Sequence, residues 1–476
     1  MKHGIFHAER TSGSRDKFSH GTTIILLSAC ILLPMISESM LVAALPGIEL
    51  EFSTQGIIGA WILPVVLLLG ASLCPFLGTL GDNLGRKKVL SIGLAFYVAG
   101  VLLSGFSWDI WSLLLFRAMQ GIGIAASPIA FAIVSEHFPP ERVSTGIGIL
   151  AGCYGAGTLL GIFFGSIVTG ILGWRWTYYI LIPVVILHLV LVNLKIPSSP
   201  GTPGRKSDWA GAFLLLVAIF FLMTAVTLCY GGEFESLPVA VSVALSVIVG
   251  VLFVYCEKRS AFPSIDLRML KKRKVAIIAA MALLLNMTTF LYVQVFPFII
   301  QSPAGLMLGE LFVGCIMVPG SIADMIMSTS AGVWVRRKGH KPVFYLGGVL
   351  IIIAPLVYFL LPLSVITLAA VYTIFCAGMG MISTAYLILM IGTVPPDRTA
   401  GATGLLNSYT NIGGMIGPII TGIFLATFSV KTVVDGVSWQ TPTPEAFFYT
   451  FATGMAAALV IMMLIIAINN GRKVQL

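Results

Sequence analysis

Gly78-Thr79-Leu80-Gly81-Asp82-Asn83-Leu84-Gly85-Arg86-Lys87-Lys88 is a tight, charged connection between two long apolar segments, and its reading decides the fold. Asp82, Arg86, Lys87 and Lys88 crowd into it. A helix needs about 20 predominantly apolar residues to span a bilayer, and runs of that length lie on both sides of the turn and recur almost from end to end. Of 476 residues, 58% are hydrophobic and 10% charged, with a mean hydropathy of +1.00. A soluble domain carries about 25% charged residues. Buried helices of a soluble protein would still show polar faces, which these runs lack. A closed β-barrel would show alternating strands of about 10 residues, whereas these runs are continuous. The composition therefore implies an all-α integral membrane protein.

Working outward from the turn, the pattern gives fourteen spans, at 22–45, 55–79, 88–107, 110–134, 145–170, 175–195, 208–229, 237–256, 274–300, 308–334, 341–361, 364–391, 399–427 and 446–470. They group into a tail (1–20), a six-helix bundle (21–195), two linker helices with their loops (196–272), a second six-helix bundle (273–470) and a short tail (471–476). The first run is too long for a signal-peptide h-region, and no A-x-A-like site follows it. The seven cysteines are scattered through apolar segments without paired spacing, so they read as small buried side chains rather than disulfides or zinc ligands.

Lys and Arg collect on the cytoplasmic side of membrane proteins. With both termini inside and loops alternating, every Lys and Arg among the 28 falls on the inner side except Arg117 within a span and Arg175 and Lys431 outside. This accounts for the net charge of +9. Basic residues split among short loops point to acidic lipid headgroups, not to nucleic acid.

The two bundles are repeats. Pro139-Pro140-Glu141-Arg142 precedes a span with Gly148, Gly157 and Gly161, and Pro395-Pro396-Asp397-Arg398 stands 256 residues later, before Gly404, Gly413 and Gly417. Gly332–Gly339 is a fainter copy of the opening turn, with Arg336 where Asp82 would be. Parallel repeats of this kind place a substrate site at the interface between halves.

Gly78-x-Leu80-x-Asp82-x-x-Gly85-Arg86-Lys87 resembles the loop 2–3 signature of the major facilitator superfamily. Leu113-x-x-x-Arg117-x-x-Gln120-Gly121-x-Gly123-x-Ala125 resembles its helix-4 signature, found mainly in proton-coupled members. Gly157 and Gly161 resemble the helix-5 antiporter signature, with Thr158 at the usual proline, while the second copy keeps Gly417-Pro418. Fourteen spans, Asp208-Trp209-Ala210-Gly211 opening span seven and Phe262-Pro263-Ser264-Ile265-Asp266-Leu267-Arg268 before span nine are similar to the 14-helix drug:H+ antiporters of the QacA/EmrB type. The resemblance implies the major facilitator fold and alternating access in the cell membrane, by a monomer that uses the proton gradient and no cofactor. One departure is local. That subfamily's first-span acid would fall at Ser37, and here the acid, Glu38, comes one residue later, a rotation of about 100°.

Three charged residues lie well within spans, Glu38, Arg117 and Asp324. A charge there costs about 2.5–3.5 kcal/mol or more, which makes each a candidate functional residue. Glu38 and Arg117 lie at similar depth, on helices that pack together in the resembled fold, so they are expected to pair and to carry proton coupling. Asp324 is a second carboxyl, for a proton or a cationic substrate, with hydrogen bonding to Ser321 or Ser328 as its structural alternative. His188 reads as structural. Asn286, Gln294, Asn407 and Asn411 are candidate cavity residues, and Tyr292, Phe296 and Met415 a candidate adaptable wall. Arg86 is expected to pair with Glu136, and Asp82 to face the N-terminus of span thirteen near Thr399 as a latch between halves.

These readings converge on a proton-coupled exporter of amphipathic, cationic small molecules. The alternatives are a dedicated exporter of a metabolite, lipid or siderophore and, from another class, a membrane enzyme. A prenyltransferase would need an acidic metal-binding cluster such as DDxxD, and an ATP-driven pump a Gly-x-x-x-x-Gly-Lys-[Ser/Thr] loop; neither pattern occurs in the sequence.

Overall fold

A computed structural model describes residues 20–54, 58–198, 209–228, 236–259, 270–394, 399–434 and 437–469. Most of both terminal tails, the Asp208 and Phe262–Arg268 signatures and the repeat at 395–398 lie outside the described residues.

The first half comprises α1 (His20–Met40), α2 (Leu45–Glu51), α3 (Pro64–Leu84), α4 (Arg86–Gly105), α5 (Ile110–Ala125), α6 (Pro128–His137), α7 (Pro140–Leu172) and α8 (Arg175–Lys195). Then come α9 (Trp209–Leu228) and α10 (Ser236–Arg259). The second half comprises α11 (Arg273–Gln301), α12 (Leu311–Lys338), α13 (His340–Leu360), α14 (Val365–Thr393), α15 (Thr399–Thr427) and α16 (Pro444–Asn469). Among the described residues, twelve stretches of helix are long and apolar enough to cross a membrane, and a thirteenth if the two parts of α3 are one span. In α9 the corresponding apolar run is shorter, Ala210–Ala225.

Local chemistry sets the boundaries. Span one is broken: after α1 the chain makes a short turn of 3-10 helix, Val42–Ala44, and continues as α2 with Pro46 in its first turn. Span four is split before Pro128, because proline opens a helix well but lacks the N–H needed to continue one. The α3 helix bends by 47° between Cys74 and Phe76, where the sequence has Pro75. The connection after α15 contains an antiparallel hairpin, β1 (Ser429–Val434) paired with β2 (Val437–Pro442), with Thr432 opposite Trp439. Asp435-Gly436, between β-branched residues, is a strong hairpin turn signal in this stretch of sequence.

The repeat is visible in the backbone. Gly85 between α3 and α4 has φ +97, and Gly339 between α12 and α13 has φ +77. Asp109 caps α5 by accepting from the Ser112 N–H at 2.7 Å, which holds its carboxyl below the usual range. Ser364 caps α14 by accepting from the Thr367 N–H at 3.1 Å. Non-glycine residues reach such positive φ values only under strain of about 1–3 kcal/mol. Gly85→Ala should therefore lower thermal stability measurably in detergent. Gly78→Ala, whose methyl meets open space, should leave it within about 0.5 kcal/mol.

The halves meet along two seams, α3 against α15 and α7 against α12. Contacts across them gather at the end of the bundle that carries α2 and the hairpin. Gln301 donates to the Ala43 carbonyl at 3.0 Å, Ser166 lies against Gly314, and Gly170 lies 3.6 Å from the Leu311 amide.

Candidate functional site

Arg117 is fully buried on α5, and three elements satisfy it. Its Nη2 donates to Glu38 Oε1 on α1 at 2.6 Å. Its Nε donates to the Ile62 carbonyl at the entry to α3 at 2.5 Å. Its Nη1 donates to the Tyr178 hydroxyl on α8 at 3.4 Å. Glu38 is itself only 9% exposed. Two ions removed from water are tolerated when geometry is good and their remaining hydrogen-bonding groups are met, and this arrangement meets both conditions. The one-residue displacement of the first-span acid thus still delivers it to Arg117. Tyr178 and the Ile62 carbonyl carried no signal in the sequence, because neither residue type is unusual in an apolar span.

The pair is held by further interhelical bonds. Gln120, one turn beyond Arg117, donates to Ser104 Oγ on α4 at 2.8 Å, and the Tyr97 hydroxyl donates to the Leu33 carbonyl on α1 at 3.2 Å. Gly121 packs on the Val66 carbonyl and Gly123 on Tyr97, which brings α3 and α4 close to α5. Gly157 and Gly161 on α7 pack on the α1 backbone at Leu32 and Ile36, and Gly413 and Gly417 on α15 repeat this against Leu283 and Met287 of α11. Pro418 lies within α15 directly after Gly417.

Among the described residues the second half has no copy of the ion pair. Aligning the helix caps puts Tyr372 at the place of Arg117, and aligning the glycine contacts puts Thr289 at that of Glu38. The acid of this half is Asp324 on α12, part-buried against Gly380 of α14. The structural alternative, bonds to Ser321 or Ser328, is not seen among the described residues: Ser328 Oγ donates to the Met325 carbonyl at 3.2 Å, and Asp324 makes no ion pair there. Asn286 Nδ2 of α11 donates to the Ala282 carbonyl of its own helix at 3.1 Å. Gln294 is buried with neither amide atom partnered among the described residues. Asn411 faces α3 at Gly70, and Asn407 is exposed.

The aromatic wall is corrected. Tyr292 and Phe296 are fully buried in a ring cluster with Phe375, Tyr372 and Phe451, at centroid distances of 4.7–6.1 Å. Met415 is likewise fully buried. They pack helices together, the rings within the second half and Met415 between α15, α3 and α9. His188 is buried with Nε2 3.4 Å from Cys30 Sγ, as its structural reading expects.

At the other end of the bundle Arg86 donates to Asp82 at 3.1 Å, to the Ala132 carbonyl at 2.8 Å and to Glu136 at 3.2 Å. Lys87 Nζ donates to the Asn193 carbonyl at 2.8 Å. These bonds fasten the opening turn to α6 and α8 of its own half.

Two like helical halves meeting along two seams, with a charge pair buried in one and an acid in the other, define a multi-pass membrane transporter rather than an enzyme. The profile of the Major Facilitator Superfamily matches residues 27–418, and the chain belongs to that family. It is 30% identical over 286 residues to Multidrug resistance protein 3 of Bacillus subtilis, a match covering 59% of this chain and 55% of the relative, so it spans about half that protein's length. It is 26% identical over 383 residues to the multidrug transporter protein MdtP of the same organism (79% of this chain, 70% of MdtP). It is 25% identical over 426 residues to the multidrug efflux pump LfrA of Mycolicibacterium smegmatis (88% of this chain, 83% of LfrA). Among solved structures, a peptide transporter of the POT type superposes with a TM-score of 0.67 at 17% identity, covering 94% of each chain. The nucleoside transporter NupG superposes with a TM-score of 0.63 at 14% identity, covering 93% of this chain and 99% of its own.

Proposed function

We propose that the protein is a proton-coupled multidrug exporter of the 14-helix type, with α9 and α10 as the two extra spans and both termini in the cytoplasm. It acts in the cytoplasmic membrane as a monomer, on amphipathic cations. The observation that carries this reading is the buried Glu38–Arg117 pair at 2.6 Å; kinship with the multidrug transporters supports the substrate class. Burial favours a protonated carboxyl and a nearby guanidinium favours the carboxylate. Rocking of the halves that wets the site and changes the Glu38–Arg117 distance would load and release a proton, while Arg117 stays charged throughout. Asp324 adds a carboxyl without a cation partner among the described residues, suited to a cationic substrate or a second proton. The proton gradient is the energy source, with no cofactor.

The positive-inside distribution puts the Arg86 end in the cytoplasm, so a bundle joined at its hairpin end is inward-facing. Closing the Arg86 end would bring Asp82 toward the positive dipole end of α15 at Thr399, the latch of the outward-facing state.

Proteoliposomes with an imposed pH gradient test the reading. The gradient should drive ethidium movement, Asp324→Asn should cut the initial rate about tenfold or more, and Asp82→Asn should slow it with the protein still folded. A pH gradient that moves no ethidium would defeat the antiporter assignment.

A further inference from the structure

We propose that the turn between α12 and α13, the second half's copy of the opening turn, binds the headgroup of an anionic phospholipid, whose phosphate takes the place that Asp82 and Glu136 fill in the first half. The inference needs only a membrane around the bundle and stands whether or not the protein is an antiporter.

The two turns share a backbone and differ in charge. Both pivot on a glycine at positive φ, Gly85 and Gly339. In the first half the charges close on themselves, with Arg86 paired to Asp82 at 3.1 Å and to Glu136 at 3.2 Å. In the second half those acids are gone. Arg336 stands where Asp82 would be, and Ile391 and Gly392 of α14 fall where the repeat would put Glu136. The cations remain: Arg336, Arg337, Lys338 and Lys341 surround Gly339, all four exposed. A second basic run, Lys271 to Lys274, leads into α11 at the same end of the bundle. Lys274 and Lys341 both lie close enough to His340 for their charges to act on it, so the two clusters form one patch. None of these cations makes an ion pair among the described residues.

The depth of the patch decides its counterion. Trp334 lies one turn before Arg337 and Lys338 on the same face of α12 and is 40% exposed, and Tyr345 of α13 is 39% exposed. Exposed Trp and Tyr near the ends of spanning helices sit at headgroup level, between the acyl chains and water. The cations just beyond them therefore lie in the layer of lipid phosphates. Crowded like charges repel one another, and an anion from outside relieves them. A phospholipid headgroup fits the donors present: the guanidinium groups of Arg336 and Arg337 offer paired N–H groups to phosphate oxygens, and the lysines add charge. A zwitterionic lipid brings a phosphate together with a cation that this patch repels, so the site selects headgroups of net negative charge. Once occupied, the lipid fastens the α12–α13 turn as Asp82 and Glu136 fasten the α3–α4 turn. The first half carries its own counterions, and the second takes them from the membrane.

The test uses the full chain, delipidated in detergent. Dioleoylphosphatidylglycerol, dioleoylphosphatidylcholine and inorganic phosphate are added in separate arms, with bound lipid counted by native mass spectrometry and the melting temperature followed in parallel. Phosphatidylglycerol should bind and raise the melting temperature well above either of the others. Arg336→Gln, Arg337→Gln and Lys338→Gln combined should weaken its binding about 100-fold. Lys88→Gln, Arg142→Gln and Lys195→Gln combined remove the same charge from exposed positions of the first half and should weaken it less than about threefold. Arg336→Asp restores the first half's acid, so it should melt higher without lipid and gain less from phosphatidylglycerol. Undiminished binding in the second-half triple variant, an equal loss in both triple variants, equal stabilisation by inorganic phosphate, or an Arg336→Asp protein that gains as much from phosphatidylglycerol as the parent would each overturn the proposal.

Discussion

Arg117→Ala should abolish the proposed proton-driven transport and lower the stability of the purified protein by about 3–5 kcal/mol, because it leaves the Glu38 carboxyl buried without its counterion. Arg117 has no exposure to relax into, and its loss also strips the Ile62 carbonyl and the Tyr178 hydroxyl of a donor. Thermal unfolding in detergent measures the stability loss, and ethidium flux the activity. A second variant separates charge from packing. Arg117→Gln combined with Glu38→Gln removes both ions while keeping hydrogen-bonding groups, so it should recover much of the lost stability and none of the coupling. A double variant as unstable as Arg117→Ala would show that the pair's charge is not what matters.

Gly161→Val carries the second large effect. A Cβ at Gly161 would fall 2.7 Å from the Ile36 carbonyl oxygen and 3.1 Å from the Ile36 Cα, and backbone of this kind cannot swing aside. Overpacking costs about 1–3 kcal/mol, occasionally more, and here it also pushes apart α1 and α7, the helix carrying Glu38 and its closest neighbour. Loss of folded protein or of transport is expected. Gly417→Val should behave in the same way, since its Cβ would meet the Met287 carbonyl oxygen and the Leu291 amide. Gly148→Val, on the same helix as Gly161 but where a Cβ meets nothing within 4 Å among the described residues, should fold normally, so size-exclusion profiles of the three variants test the contrast.

How far the sequence reaches differs by feature. The opening turn, the apolar runs and the distribution of Lys and Arg are strong because the bilayer constrains length and charge more tightly than a soluble core does. The Glu38–Arg117 pairing was legible because two ions at one depth have few affordable alternatives. The Arg86–Glu136 bond followed from two charges at neighbouring helix ends. Other features were hidden. Tyr292, Phe296 and Met415 look the same in a sequence whether they line a cavity or pack a core, and only their ring cluster and burial decide it. The breaks near Leu41 and before Pro128 depend on how the chain settles around a proline within an otherwise uniform run. The packing of α9 over α3 and α15 follows from tertiary contact alone, since its faces are equally apolar. Asp324 is the intermediate case: its presence in a span singles it out, but its placement against Gly380 of α14 is a fact of three dimensions.

The account turns on Glu38 as the proton carrier displaced when a cation binds, and proton release measures this most directly. Tetraphenylphosphonium is added to purified protein in lightly buffered detergent, and the pH of the medium is followed. Linkage requires that a cation binding the deprotonated form release about one proton or more per site, fewer in Glu38→Gln and fewest when Asp324→Asn is added. Tight binding with no change in pH, or release unaltered by Glu38→Gln, would contradict the assignment of proton coupling to the Glu38–Arg117 pair.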